Sequence, residues 1–347
     1  MPDKIVKPFF IDMPPIVFGT SVLGNLFVVL SDEIKQEIVR ECIRHTKGKL
    51  IFDSAGKYGA GLALESLSKS LKALNVDPND VIISNKLAWI RSELKTPEPT
   101  FEPGVWRNLQ YDAVQKISYD GIIECFEQGN ELLNGYIPAM VSVHDPDEYL
   151  DKAQSPEEDK KLYHDILDAY RALEVLKREG KVKAIGVGAK NWKSIERIAN
   201  DVDLDWVMIA NSMTIKSHPK PLLDFMKKLE HKGVQIINAA VFHSGYLVGG
   251  DYFDYKLVTP ENKVLAQWRE DFFKLCADFN IKPAEACVQF ALMAPGVKSV
   301  TLSTTDPKQV KDNIAMAEAE IPQKFWDLLI ARGMIDESFF DYTNTNA

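Results

Sequence analysis

The sequence predicts a (β/α)8 TIM barrel, and three observations carry that expectation. Eight short β-branched runs alternate with longer amphipathic stretches, no glycine fingerprint of an open dinucleotide sheet follows the first run, and 347 residues suit one such barrel. Strands are expected at 16–18, 50–52, 81–84, 140–143, 182–187, 206–209, 234–238 and 300–302. Ser31 ahead of Asp32 and Glu33 starts the first helix, because a hydroxyl accepts from the free N–H groups of a first turn. Apolar residues then recur at spacings of three and four: Ile34, Ile38 and Cys42, next Leu64, Leu67, Leu71 and Leu74, next Ile122, Cys125 and Phe126.

The stretch 91–116, with Pro97, Pro99 and Pro103, is too long for a turn and is read as an excursion over one barrel mouth, a loop facing substrate. The clearest helix is 166–179, where Ile166, Leu167, Tyr170, Leu173, Val175 and Leu176 make a stripe that stops at Gly180. Two helices, 264–279 and 283–293, follow the seventh strand, and Asp306-Pro307 before Lys308 opens another. The last residues, DYTNTNA, are expected to fray. The organisation expected is one domain, 1–347, with a core of about 16–320 and a C-terminal tail of 334–347. A doubly wound open sheet is the second choice. It lacks its G-x-G-x-x-G, since Gly19 and Gly24 in FGTSVLGN stand too far apart.

Composition narrows the function. Hydrophobic residues make up 46% and charged residues 26%, as in ordinary globular chains. Lys plus Arg is 41 against 50 for Asp plus Glu, a net charge of -9 that repels phosphate backbones, so no nucleic-acid partner is expected. Cys42, Cys125, Cys276 and Cys287 form no C-x-x-C pair, which points to a reducing compartment without zinc or disulfides. The N-terminus has no apolar run of signal-peptide length, and no stretch reaches about 18 apolar residues, so no membrane partner is expected and the location expected is cytoplasmic.

In such a barrel the chemistry lies at the C-terminal ends of the strands. Four polar residues stand there: Asp53 after strand two, Tyr58 in the loop beyond it, Lys86 after strand three and His144 after strand four. Together they suit proton exchange with an alcohol or carbonyl oxygen. A phenol of pKa about 10 is a poor base at neutrality, and a nearby ammonium favours its phenolate. Lys86 supplies that charge, Asp53 holds Lys86, and His144 donates a hydrogen bond to the substrate oxygen. Taken one at a time, each of these residues has an ordinary structural role; only the conjunction points to chemistry. Trp89, Trp106 and His243 are candidates for stacking on a sugar face, with core packing as the alternative. His164, His218 and His231 have no metal-ligand spacing, and no metal is expected.

FDSAGKYGAGLALESLSKSLKAL, with Lys86 in ISNK and His144 in SVHDPDEY, resembles the aldo-keto reductase superfamily, from about residue 18 to 317. VWRNLQYDAVQKISYDGIIECFEQG and AIGVGAKNW look most like its L-fucose or D-threo-aldose 1-dehydrogenase branch. The resemblance implies an NAD(P)-dependent oxidoreductase whose Asp, Tyr, Lys and His tetrad corresponds to Asp53, Tyr58, Lys86 and His144. It implies cofactor contacts from Gly19, Thr20, Asp53, Asn211, Phe242, Ser244, Gly245, Leu247, Ser303, Thr304, Gln309 and Asn313, and substrate contacts from Trp89, His144 and His243. Gly188 and Ala189 replace the usual Ser-Asn of strand five, and Ala239 falls where an aromatic stacker is usual, leaving Phe242 as the nearest ring. NADP-preferring members carry a Lys and an Arg where this chain has Ser303 and Gln309. That implies NAD, with NADP as the alternative because Lys308 and Lys311 are close by.

The function expected is oxidation of an aldose such as L-fucose or D-arabinose at C1 to the lactone, by a monomer or small homo-oligomer. The alternatives are a general NADPH-dependent aldehyde or ketone reductase and a non-enzymatic, nicotinamide-sensing regulatory subunit.

Overall fold

A computed structural model of the protein describes residues 8–254 and 256–343. Eight parallel strands close into a barrel: Ile16–Gly19, Leu50–Ala55, Val81–Leu87, Met140–His144, Ala184–Ala189, Trp206–Ala210, Gln235–Ala239 and Val297–Leu302. They are called strands one to eight below. Strand one pairs with strand eight through Ile16 and Val300, and with strand two through Phe18 and Phe52, so no edge is left open.

Each expected strand is present, most of them longer at the C-terminal end than the β-branched run suggests. Strand two runs on through Asp53 to Ala55 and strand three through Lys86 to Leu87, so two charged residues lie inside strands and not after them. The barrel interior tolerates them because they neutralise each other.

Two layers of packing hold the barrel. Outward-facing Val, Ile and Leu pack on a ring of helices, while Val17, Ile51, Met140, Ala184, Trp206, Met208 and Ile237 fill the interior. Trp206 is fully buried and lies against Gly186 of strand five. The lower end is plugged by Ile11, whose N–H and carbonyl bond the Gln235 amide.

Helix signals are reproduced with shifts at the ends. Ser31 accepts from the N–H of Ile34 and starts Asp32–His45. The longest helix spans Pro156–Arg178, ten residues further N-terminal than its apolar stripe begins, because Ser155 caps it and Pro156 suits the first turn. The 91–116 excursion is not loop throughout: Trp89–Glu93 and Tyr111–Gln115 pair as an antiparallel ribbon and project its tip over the mouth. Residues 339–343 form a short helix in place of a frayed end, because Phe339 is buried and stacks on Phe290 at 4.0 Å. The rest of that expected tail, 344–347, and residues 1–7 of the N-terminal stretch lie outside the described residues. Among the described residues no helix is long and apolar enough to cross a membrane.

A Cβ built on Gly186 comes within 2.4 Å of the Trp206 ring and 2.6 Å of its carbonyl oxygen, with backbone and ring both fixed. Gly186→Ala is therefore expected to lower stability by about 1–3 kcal/mol through overpacking, read from the urea unfolding midpoint at constant m-value.

Candidate active site

At the C-terminal ends of the strands lies a cavity of about 910 Å3, near the upper end of the range for ligand pockets. Small residues, among them Gly19, Gly188, Ala189, Ala210 and Ala239, leave its floor open. Asp53, Tyr58, Lys86 and His144 meet on one wall.

The placement follows from register. Asp53 pairs with Ser84 and Ala55 with Lys86, so on the inward face Lys86 stands one pleat beyond Asp53 and reaches back to it diagonally. Lys86 Nζ binds Asp53 Oδ2, with both side chains 2% exposed, and also donates to the Ser54 carbonyl at 3.3 Å. Ser84 donates to the other Asp53 oxygen at 3.1 Å. A buried ion pair stands only when it is supported by further hydrogen bonds, and here each Asp53 oxygen has a donor while Lys86 has a second acceptor.

Tyr58 comes from the turn after strand two. The Lys86 ammonium lies 4.7 Å from its ring centroid, and the His144 ring meets it edge-on at 5.5 Å. That turn is pressed against the loop after strand one: a Cβ on Gly59, whose φ is +61°, would lie 2.3 Å from the Gly24 carbonyl oxygen, so only glycine brings the two backbones so close. His144 is buried, with no protein partner at Nδ1, and its Nε2 is 3.5 Å from Asp145 Oδ2. Burial, then the Lys86 and Lys57 charges, hold its pKa well below the usual histidine value. His144 is thus a neutral ring that donates through one nitrogen. The arrangement places a phenol beside a fixed ammonium and a neutral imidazole, which is what reversible proton exchange with one oxygen atom needs.

The far end of the cavity is walled by Phe242, Ser244 and Gly245 on one side and by Ser303, Gln309 and Asn313 on the other. His243, Ser244 and Gly245 have φ of 47°, 57° and 93°, and a Cβ on Gly245 would meet nothing within 4 Å. These residues form a turn closed by its own backbone bonds, the His243 N–H to the Ala240 carbonyl at 3.0 Å and the Gly245 N–H to the Phe242 carbonyl at 3.1 Å, with the space over Gly245 left open. The buried Thr301 hydroxyl, also on the wall, has no protein partner. These features fit a dinucleotide.

Several expected contacts are placed elsewhere. The Thr20 hydroxyl is spent on the Asp53 carbonyl at 3.0 Å, and Thr304 holds the turn before the last strand–helix crossover through Gln309 Oε1 at 2.8 Å. Leu247 is fully buried in the core, and Val248 reaches the cavity in its stead. Trp89 packs behind the excursion against Phe101, and Trp106 is the indole on the wall. His243 has both ring nitrogens engaged, with Thr214 and Asp254, each at 2.7 Å, and stacks on Phe253. It lines a neighbouring cleft together with Asn211.

The wall also holds Lys57, Glu102, Asp145, Lys190, Lys282 and Asp312, which sequence reasoning passed over. Lys57 and Asp145 each adjoin a tetrad residue in sequence, and that adjacency was the available signal. His218 packs between Phe290 and Phe339 and accepts from the N–H of Asp336, a structural role. Among the described residues no group of three or more His, Cys, Asp or Glu is arranged to hold a metal.

The model of the Aldo/keto reductase family matches residues 15–331, the whole barrel. The chain belongs to the aldo/keto reductase family. Pyridoxal 4-dehydrogenase of Microbacterium luteolum is 26% identical over 333 residues, covering 91% of this chain and 93% of that one. D-threo-aldose 1-dehydrogenase of a Pseudomonas species is 25% identical over 327 residues, covering 90% and 92%. Among solved structures, the glycerol dehydrogenase of Gluconobacter oxydans superposes with a TM-score of 0.68 at 15% identity, over 96% of this chain and 98% of that one, a likeness of fold. This aldo/keto reductase is an oxidoreductase, and its named relatives are dehydrogenases.

Asp53→Asn would leave the Lys86 ammonium buried without its counter-charge, and a loss of about 3–5 kcal/mol in chemical denaturation is the expected result. His144 should show no ring titration by NMR between about pH 6 and 8. Its depressed pKa also fixes a sign. The unfolded ring, with a pKa of about 6.5, binds a proton that the folded ring refuses, so this contribution to stability is complete above that pH and declines below it.

Proposed function

We propose that this aldo/keto reductase oxidises the anomeric carbon of an aldose, of the kind represented by L-fucose or D-arabinose, to the lactone with a nicotinamide dinucleotide. The observation that carries the proposal is the convergence of Asp53, Lys86, Tyr58 and His144 on the wall of a cavity of about 910 Å3. The relatedness to D-threo-aldose 1-dehydrogenase supports the sugar, and so does a reacting end walled by one indole and by carboxylates.

Phe242, Ser244, Gly245, Ser303, Gln309 and Asn313 would hold the dinucleotide, which supplies the hydride acceptor when bound. Tyr58 takes the proton of the C1 hydroxyl, and Lys86 stabilises the phenolate that receives it. His144, neutral, donates a hydrogen bond to the same oxygen and fixes it opposite the phenol. Asp53 touches neither proton nor substrate; it keeps the Lys86 ammonium in place. In the reverse direction Tyr58 is the general acid for carbonyl reduction.

NAD is the cofactor proposed over NADP. Ser303 and Gln309 supply no cation, and Asp312 on the same wall repels a 2′-phosphate; Lys282, the one wall lysine at that end, is 68% exposed and lies 3.6 Å from Glu285.

Tyr58→Phe is expected to abolish turnover while dinucleotide binding, followed by tryptophan fluorescence, is unchanged; activity above a few per cent of wild type removes Tyr58 from the role. In a panel of aldoses and simple aldehydes followed at the NADH absorbance, kcat/KM should favour NAD⁺ over NADP⁺ by at least about tenfold, and equal values count against the assignment.

A further inference from the structure

Lys57 stands in the turn that carries Tyr58, and the steps above involve it only through the charge it adds beside His144. Its side chain is 3% exposed, and three carboxylate oxygens surround the ammonium: Glu102 Oε1 at 2.8 Å, Glu148 Oε2 at 3.0 Å and Asp145 Oδ2 at 3.1 Å. Burial works against the charged amine, but these carboxylates more than offset it and keep Lys57 protonated. They come from two places. Asp145 and Glu148 follow strand four, whereas Glu102 belongs to the tip of the 91–116 excursion.

Glu102 faces two ways. One carboxylate oxygen binds Lys57, and the other accepts the indole N–H of Trp106 at 2.7 Å. The Trp106 ring in turn lies 5.8 Å from that of Tyr58. A single buried cation therefore ties the tip of the excursion to the turn that carries the phenol.

We propose that Lys57 is a positioning residue for substrate: it clamps Glu102 and so holds Trp106 as the outer wall of the reacting end, at a set distance from Tyr58. Without the ammonium, three carboxylates would repel one another around a buried gap. Glu102 and Glu148 are both partly open to water, 31% and 35% exposed, but Glu148 stays held by Lys190 at 2.5 Å, so Glu102 is the one released, and its departure deprives the Trp106 N–H of its acceptor. The backbone on either side of Trp106 is held separately, by the Phe27 N–H to the Val105 carbonyl at 2.8 Å and the Asn25 amide to the Arg107 carbonyl at 3.2 Å, so loss of the clamp frees the Glu102 and Trp106 side chains while the backbone at 105–107 stays. Substrate binding then suffers more than proton transfer. The inference rests on Tyr58 as the reacting phenol, not on the identity of the sugar.

The test uses the full chain with Lys57→Met, Lys57→Arg and Glu102→Gln, assayed with whichever substrate the panel yields. Lys57→Met should raise KM about tenfold or more with kcat within about threefold and dinucleotide affinity unchanged, and Lys57→Arg should recover most of that KM. Glu102→Gln should raise KM in the same way, and the Lys57→Met and Glu102→Gln pair should add little beyond either alone, because both open one clamp. Hydrogen exchange at the Trp106 indole N–H, and at the Val105 amide that donates to the Glu102 carbonyl, should quicken in Lys57→Met and Glu102→Gln whether or not substrate is present. Unchanged KM and unchanged exchange in these variants, or a fall in kcat with KM intact, overturns the inference. If Lys57→Met does not fold, Glu102→Gln decides the matter from the exposed end. If Tyr58→Phe stays active, the reading of the reaction fails, and the exchange data still decide whether the clamp exists.

Discussion

Asp53 and Lys86 carry opposite charges inside a barrel whose other inward residues include Val17, Ile51, Met140 and Trp206, and each is tolerable there only because of the other. Separating such a pair leaves a bare charge in a medium that solvates it poorly, so the two strands are committed to one register. Slipping strand three by one residue would turn Lys86 outward and leave Asp53 alone. The same register aims the ammonium at the Tyr58 ring and adds to the field that keeps His144 neutral. The interaction that makes the barrel interior viable is thus also the one that sets an ammonium beside the phenol.

Around this centre the loops are held by contacts of different kinds. The Tyr58 turn is held by backbone contact, Gly59 against Gly24, where any side chain would push the phenol away. The excursion is held by charge, through Lys57 and Glu102. The segment after strand seven is held by a buried imidazole, His243, between Thr214 and Asp254. The site can therefore be read as a floor of strands with walls fastened by a few polar bonds.

The β-branched runs and the apolar stripes made the eight strands and the main helices legible, because the periodicity of a strand or helix is a local property. The tetrad was legible because each member stands at or near a strand end, where the barrel architecture itself directs attention. Side-chain direction was not legible. Leu247 and Val248 are both apolar neighbours in one turn, yet only Val248 faces the cavity; Trp89 and Trp106 are both indoles of one mouth, yet only Trp106 does. His243 was attractive as a substrate contact until Thr214 and Asp254, from distant positions, were found to occupy both its nitrogens.

By itself the sequence determined the barrel, the order of its elements and the identity of the four groups on its upper face, since these follow from spacing and residue type along the chain. Only the tertiary structure decided which of the wall residues reach the cavity, that Lys57 is surrounded by three carboxylates, and that Glu102 joins it to Trp106. The reason is geometric. A residue's chemistry travels with its position in the chain, but its partners are set by how distant segments pack on one another, as when the excursion after strand three folds over the turn after strand two and brings Glu102 within 2.8 Å of Lys57.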